Sequence, residues 1–161
     1  MTRLFDANEQ NISDLLLSDF TVPLFQDTFK QYFTEMGISI RDWDGLFKEV
    51  NDEGDNLTFV RTTADGDAIG FIMIKPTKFT SWFFEETYGF IREFWVASDF
   101  RNSGHGTALL DIAEKYFCEN NIYTSILTTN TAKLFYEKHG YFKAPGCKAK
   151  NQDDVFIKRL R

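Results

Sequence analysis

The first third of the chain mixes polar stretches with apolar residues at helical spacing. Residues 2–6 predict a short strand, and Ser13 and Asp14 ahead of three leucines predict a helix start. Pro23 interrupts any longer helix because it lacks an amide hydrogen. Apolar residues at helical spacing then predict a helix that ends near Gly37 and another over residues 41–51. After the first strand, we therefore expect helices up to residue 51.

The pattern changes to that of strands from residue 57 onward. Residues 57–63 and 68–74 are rich in β-branched and aromatic side chains and flank an Asp-Gly turn, which predicts an antiparallel hairpin. The segment 75–86 either extends the second strand or forms the wall of a pocket. Residues 88–97 are apolar with little alternation, which predicts a central strand buried on both faces.

The last third alternates helices and strands. An amphipathic helix is predicted over 107–119, with an apolar stripe that consists of Leu109, Ile112, Ala113, Tyr116 and Phe117. It is followed by a predicted strand over 122–128 and a helix over 131–139 that ends at Gly140. Late strands are predicted over 141–142 and 155–160. We find no repeat, linker or low-complexity segment in the sequence. The prediction is one mixed α/β domain over residues 1–161.

Composition narrows the class of protein. The chain has 161 residues, 43% of them hydrophobic and 26% charged, as expected for a globular domain. With a net charge of -6 and no basic stripe, we expect no nucleic-acid partner. No apolar run reaches membrane-spanning length, so we expect no membrane partner. Residues 1–10 lack a signal-peptide pattern, and the two cysteines form no disulfide framework. We therefore expect a cytoplasmic protein.

The stretch 101–106 is the candidate chemical centre. It follows the predicted central strand, carries Gly104 and Gly106, and leads into a helix. Glycines let a ligand approach the backbone, and unpaired amides at a helix start attract phosphate oxygens. On spacing alone, a tight structural turn into a helix has equal weight.

Two motifs extend the argument. Arg101, Gly104 and Gly106 fit the pattern Arg/Gln-x-x-Gly-x-Gly/Ala, with Val96 five residues before the arginine. The second motif is an alanine ahead of a Phe-Tyr-Glu-Lys-x-Gly-Phe/Tyr segment. It is carried by Ala132, four residues before Tyr136, and by residues 135–141. In this order and separation, the two motifs resemble the acetyl-CoA-dependent N-acetyltransferases of the GNAT superfamily. Asn102 and His105 depart from the family's usual glycine and small residue.

The resemblance implies a fold and a cofactor. The fold would be a mostly antiparallel sheet, flanked by helices, with a V-shaped split between strands 88–97 and 122–128. Acetyl-CoA would be the acetyl donor, with its pantetheine arm in the split, its thioester carbonyl polarised by a backbone amide, and no metal. The cofactor-binding residues implied are Phe94, Trp95, Val96, Arg101, Asn102, Ser103, Gly104, His105, Gly106, Thr107, Asn130 and Lys133.

Two residues are candidates for proton transfer. By resemblance, Tyr136 is the general acid that protonates the leaving thiolate, and the alternative is a core tyrosine. Glu93 is the one carboxylate inside an apolar strand, which favours a general base, and the alternative is an ion pair with Arg92 or another basic neighbour. His105 is expected to contribute its backbone amide, with its ring in solvent, and His139 to pack at a helix end.

Other residues are weaker candidates. Cys118 has no evident base beside it and is expected to be structural. Lysine side chains at 133 and 138 either reach phosphates of the cofactor or lie on the surface. Four aromatic residues either line an acceptor pocket or belong to the core: Trp43, Phe47, Trp82 and Phe84.

The prediction for function is an N-acetyltransferase that passes an acetyl group to a primary amine by direct attack in a ternary complex. A non-catalytic acetyl-CoA-binding sensor or interaction module on the same fold is the alternative. A dinucleotide-binding domain ranks last because residues 128–130 offer no carboxylate for a ribose. Late strands in such folds often pair between subunits, so a homodimer is compatible with the sequence.

Overall fold

The computed structural model describes residues 11–161. The predicted strand over residues 2–6 lies outside this part of the chain. In chain order the described elements are β1 (Ser13–Leu17), α1 (Pro23–Glu35), α2 (Trp43–Glu53), β2 (Leu57–Thr62), β3 (Ala68–Thr80), β4 (Glu85–Val96), a 3-10 turn (Ser98–Phe100), α3 (His105–Glu119), β5 (Thr124–Thr129), α4 (Lys133–Lys138), β6 (Phe142–Lys148) and β7 (Asp154–Arg159). None of these helices is long and apolar enough to cross a lipid bilayer.

The strands form a mixed sheet in the order β1-β2-β3-β4-β5-β7-β6. Strand β1 is antiparallel to β2, and β7 is antiparallel to both β5 and β6. Strand β4 runs parallel to β5 and pairs with it at Gly89–Ser125 and Phe90–Ile126. The predicted mixed α/β class, with helices flanking a central sheet, is confirmed.

The residues group into two compact units. Among the described residues, the first unit comprises those up to Met73 together with Glu93–Ala113, and the second comprises Ile74–Arg92 together with Glu114–Arg161. Strands β3 and β4 and helix α3 each contribute residues to both units.

The core of the first unit is mainly aromatic. The ring of Phe29, on α1, lies 5.1 Å from that of Phe25, 6.2 Å from that of Phe47 and 5.6 Å from that of Phe71. Large rings bury much apolar area each, so these contacts fix α1 and α2 on strands β2 to β4. The buried members of this cluster are Phe20, Phe25, Phe29, Phe47, Val50, Val60, Phe71, Met73, Trp95 and Ala97.

In the second unit, a glycine makes room for an aromatic ring. A Cβ added at Gly89 of β4 would lie 2.6 Å from the ring of Phe117, which is fully buried. The absent side chain lets this end of α3 lie against the strand. Leu127 of β5 and Phe156 of β7 are also buried in this unit.

The helix predicted after Ser13 and Asp14 is wrong, because this segment is strand β1. It pairs in antiparallel register with β2 from Ser13–Thr62 to Leu17–Thr58. Leu15 and Leu16 are 45% and 47% exposed, so the leucine run is not a buried helical stripe. The backbone hydrogen bonds offered by β2 outweigh the local preference for a helix cap.

Most other boundaries agree with the predictions. Pro23 occupies the first position of α1, where its missing amide hydrogen is harmless, and Gly37 follows the end of that helix with φ of 73°. For the segment 75–86 the sequence left two possibilities, an extended strand or the wall of a pocket. In the structure, β3 extends through this segment to Thr80, and β4 begins at Glu85. In α3, Leu110 is buried although it lies outside the predicted stripe.

The prediction that the central strand is buried on both faces holds for one face only. Gly89, Ile91 and Trp95 of β4 are buried, whereas the residues between them are half-buried. Glu93 falls on the buried face and is itself half-buried. A carboxylate at that position needs hydrogen-bond partners, and one of them is described below.

Candidate active site

The turn between β4 and α3 has two residues in the left-handed region. Asn102 has φ of 62° and Gly104 has φ of 85°, and α3 begins at His105. Asparagine is among the few residues other than glycine that tolerate this conformation, so Asn102 fits its place in the turn. Residues 101–104 are exposed, and Gly104 has open space where a side chain would stand.

The backbone amides of this turn are available to a ligand. Within residues 11–161, the amide hydrogens of Asn102, Ser103 and Gly104 have no hydrogen-bond acceptor, and the first bond into the helix runs from the Ala108 amide to the Gly104 carbonyl at 3.0 Å. Consecutive free amides at a helix N-terminus form a concave site for an anion. A diphosphate fits this chemistry.

Arg101 braces the turn with its side chain. Its Nε donates to the Val96 carbonyl at 2.9 Å, and its guanidinium forms an ion pair with Glu35 at the end of α1. The other carboxylate oxygen of Glu35 accepts a hydrogen bond from Trp95 Nε1 at 3.1 Å. Glu35 therefore connects the strand end to the turn, and the guanidinium of Arg101 contacts protein rather than solvent alone.

The ring of His105 is not in solvent, so that expectation is wrong. Its Nδ1 accepts a hydrogen bond from Arg61 Nε at 3.1 Å, and Arg61 NH1 pairs with Asp14 at 3.0 Å. A guanidinium is always a donor, so Nδ1 carries no hydrogen and the neutral ring is protonated at Nε2. The residue is half-buried, with its ring 6.1 Å from that of Phe100.

The end of β4 belongs to the same unit as the turn. Trp95 is buried with its ring against Phe71 and Tyr32, whereas Phe94 and Val96 are half-buried on the alternate positions. A Cβ at Gly70 of β3 would lie 2.3 Å from the Trp95 carbonyl oxygen, so glycine permits this close approach. The predicted cofactor residues Phe94, Trp95 and Val96 therefore lie on a tightly held strand.

Glu93 has a specific partner in the first unit. Its Oε2 accepts a hydrogen bond from the hydroxyl of Tyr32 at 2.8 Å. Sequence reasoning did not predict this contact, because Tyr32 lies 61 residues away and its helical spacing suggested only a core position. Glu35, Arg61 and Asp14 escaped sequence reasoning for the same reason.

Tyr136 lies in the second unit, on α4. It is buried at 7% exposure, with its ring 5.6 Å from that of Tyr141. Burial raises the pKa of Tyr136 to about 12, so its hydroxyl keeps its proton at neutral pH. The Tyr141 hydroxyl is bonded to Ser125 Oγ at 2.8 Å and to Glu114 at 3.1 Å, and burial raises its pKa further still.

The remaining second-unit candidates lie near the surface. Asn130 is exposed, and Lys133 forms an ion pair with Asp154, whose carboxylate is the main reason that the pKa of this lysine is raised. His139 packs at the end of α4 as expected, with Nδ1 2.7 Å from the Phe135 carbonyl.

The four aromatic candidates for a pocket have different environments. Phe47 is buried in the core, and Trp43 packs against that core. Trp82 is 96% exposed and Phe84 is 53% exposed, so neither belongs to the core. Within residues 11–161, no cluster of three or more histidine, cysteine, aspartate or glutamate side chains is arranged to hold a metal ion.

The comparison with protein families gives one match. The model for the acetyltransferase (GNAT) family matches residues 10–141, which include both sequence motifs. No curated protein sequence matches the chain.

Many solved structures share this fold. A GNAT-family acetyltransferase from Staphylococcus aureus Mu50 is 16% identical, with a TM-score of 0.67 over 93% of this chain and 99% of that chain. NAA60 from Arabidopsis thaliana in complex with acetyl-CoA is also 16% identical, with a TM-score of 0.69 over 92% and 98%. NAA60 in complex with a bisubstrate analogue has a TM-score of 0.66 at 16% identity, over 91% and 98%. The family match covers most of the sequence and the fold agrees with it, so this chain belongs to the GNAT family of acetyltransferases.

Proposed function

We propose that this protein is an N-acetyltransferase that moves the acetyl group of acetyl-CoA to a primary amine by direct attack in a ternary complex. The observation that carries the proposal is the turn at the start of α3, where three consecutive amides have no acceptor within the described residues and two residues have positive φ. A family member that has kept this anion site is equipped to hold the diphosphate of coenzyme A.

The turn binds the cofactor, and the strand end polarises the thioester. In this proposal, amides of residues 102–107 donate to diphosphate oxygens, while the Arg101 side chain holds the turn in shape through Val96 and Glu35. Backbone groups of residues 94–96 bind the pantetheine arm, and an amide there donates to the thioester carbonyl. A fixed donor at a developing oxyanion is worth about 3 kcal/mol of barrier.

The reaction removes two protons from an ammonium substrate, one before attack and one after it, and delivers one proton to the leaving thiolate. An alkylammonium has a pKa of about 10.4, so the amine is protonated at neutral pH. A base must therefore take a proton before the nitrogen can attack. We assign this step to Glu93, directly or through water. The amine nitrogen bonds to the acetyl carbon, the carbon–sulfur bond breaks, the acylated nitrogen loses its remaining excess proton to solvent, and the thiolate accepts a proton.

We assign protonation of the leaving thiolate to Tyr136, which then regains a proton from solvent. Its raised pKa, about 12, keeps the hydroxyl protonated throughout the physiological range. The assignment rests on its place in the second motif, as do the proposed roles of Asn130 and Lys133 in cofactor binding. Lys133 must exchange its ion pair with Asp154 for a phosphate to act in this way.

The test is a thiol-release assay with acetyl-CoA and a panel of amines across pH, run on wild type, Tyr136→Phe and Glu93→Gln. We expect kcat to fall about 10²- to 10⁴-fold in each variant, as for loss of a general acid or base. The controls are Tyr123→Phe and Glu119→Gln, which change the same chemical groups at exposed or half-exposed positions and should leave turnover intact.

The outcomes separate the alternatives. Full turnover in Tyr136→Phe would contradict the assignment of Tyr136 as general acid. Full turnover in Glu93→Gln at every pH would contradict the assignment of Glu93 as general base. Binding of acetyl-CoA by calorimetry without turnover of any amine would support the sensor instead of the enzyme.

A further inference from the structure

Helix α1 contacts the candidate base of β4 through the hydroxyl of Tyr32. The Tyr32 hydroxyl donates to Glu93 Oε2 at 2.8 Å, and both residues are half-buried. The contact joins two elements that are 61 residues apart in the sequence. A hydrogen bond to an ionised carboxylate is stronger than one between neutral groups.

Packing fixes the position of this hydroxyl. The Tyr32 ring lies 5.8 Å from that of Phe29 and 5.3 Å from that of Phe71, and it also contacts Phe33 and Trp95. A ring held on several sides has little rotamer freedom. The packed ring therefore holds the Tyr32 hydroxyl in a fixed position next to Glu93.

Two charged side chains of α1 that flank Tyr32 in the sequence have partners of their own. Glu35, one helical turn after Tyr32, is bonded to Arg101 and Trp95. Lys30 lies over the rings of Trp43 and Phe47 instead. Strand β3 contributes the apolar Phe71 and Met73 to the same cluster.

We propose that Tyr32 is a positioning residue for Glu93, which orients the carboxylate and favours its charged form for proton removal. This inference rests on the proposed function, because it assigns Tyr32 a role through the base assigned there. Tyr32 itself takes no proton from the substrate.

The first experiment compares Tyr32→Phe, Glu93→Gln and the double variant across pH. Phenylalanine keeps the ring contacts and removes only the hydroxyl. We expect kcat/KM of Tyr32→Phe to fall about tenfold, with its acidic limb moved to higher pH because the charged carboxylate has lost a donor, and with KM for acetyl-CoA unchanged. Tyr123→Phe, the matched control, should behave as wild type.

The double variant tests whether Tyr32 acts through Glu93. In the Glu93→Gln background, the further change Tyr32→Phe should alter kcat/KM by less than about twofold, because non-additivity marks residues that act as a unit. An equal tenfold loss in both backgrounds would overturn the proposal, as would an unmoved acidic limb in Tyr32→Phe.

The second experiment needs no turnover and therefore separates this inference from the proposed function. The carboxyl carbon of Glu93 is followed by NMR in glutamate-labelled protein, with Glu93→Gln to assign its signal. In Tyr32→Phe, the titration midpoint of Glu93 should rise relative to wild type, and an unchanged midpoint contradicts the proposal. If wild type acetylates no amine, the proposed function fails while this titration still decides the role of Tyr32.

Discussion

At the residue scale, Glu35 illustrates how one carboxylate holds two parts of the candidate site. It accepts hydrogen bonds from Trp95 on β4 and from Arg101 in the turn. Arg101, the first residue of the sequence motif, thereby braces the turn between β4 and α3. Its side chain shapes the site while backbone amides supply the proposed contacts to the ligand.

We predict that Glu35→Gln weakens the binding of acetyl-CoA without changing kcat. The amide oxygen can keep the Trp95 hydrogen bond, but the charge that pairs with Arg101 is lost, so the turn is held less firmly. The dissociation constant measured by calorimetry should rise about fivefold, equivalent to about 1 kcal/mol. Asp52→Asn, which breaks only the exposed pair with Lys48, is the control. Unchanged affinity in Glu35→Gln would show that Arg101 does not brace the turn.

Tyr136 links burial to the stability of the protein at alkaline pH. Its pKa is about 12 in the folded protein and about 10 in the unfolded chain, so its contribution is fully present below pH 10 and is lost as the pH rises towards 12. We predict that the free energy of unfolding, followed by urea denaturation, falls by about 2 to 3 kcal/mol more in wild type than in Tyr136→Phe between these pH values. Parallel curves for the two proteins would mean that the hydroxyl is not buried.

At the scale of elements, α1 organises the first unit. Its apolar face supplies Phe25 and Phe29 to the aromatic core, and its last turns supply Tyr32 and Glu35 to β4 and the turn. Strand β4 completes the arrangement by carrying Glu93 and Trp95 on one face. The same helix therefore serves packing at its start and the candidate site at its end.

Two glycines allow this element packing to be tested. We predict that Gly70→Ala destabilises the protein by about 3 kcal/mol, because its Cβ would lie 2.3 Å from the Trp95 carbonyl oxygen and 3.0 Å from Val96 Cα, and backbone cannot move aside cheaply. Gly104→Ala meets nothing within 4 Å and should cost about 1 kcal/mol, the strain of an alanine at φ of 85°. Thermal unfolding of both variants measures the difference, and a larger loss in Gly104→Ala would contradict it.

At the scale of the whole molecule, the apolar residues are divided between buried cores and a few exposed positions. Phe20, Phe25 and Phe117 are fully buried, whereas Trp82 and Phe83 at the turn between β3 and β4 are 96% and 98% exposed. These two residues make no contribution to either core. An exposed aromatic pair of this kind lowers solubility more than it affects folding.

We predict that the double substitution Trp82→Ser and Phe83→Ser leaves the free energy of unfolding within about 0.5 kcal/mol of wild type and raises the concentration at which the protein aggregates. Denaturant titration and light scattering measure the two effects. The comparison is Phe29→Ala, in the buried core of the first unit, which should lose about 3 to 5 kcal/mol. A large loss of stability in the surface variant would show that Trp82 and Phe83 pack against the protein in solution.

The sequence by itself determined the mixed α/β class, the strand before the turn, the helix after it and the glycine-bearing turn at residues 101–106 that joins them. These properties follow from side-chain periodicity and from backbone preferences that neighbouring residues encode, such as glycine at positive φ. The same local reasoning predicted a helix where the structure has β1. The strand forms because it pairs with β2, and the residues of β1 alone do not reveal this pairing.

Only the tertiary structure decided which side chains meet. Tyr32 and Glu93 are 61 residues apart, Glu35 and Arg101 are 66 apart, and Arg61 and His105 are 44 apart. Each of these contacts depends on how a helix or a strand packs in the first unit, and packing is a property of the assembled core rather than of any short segment.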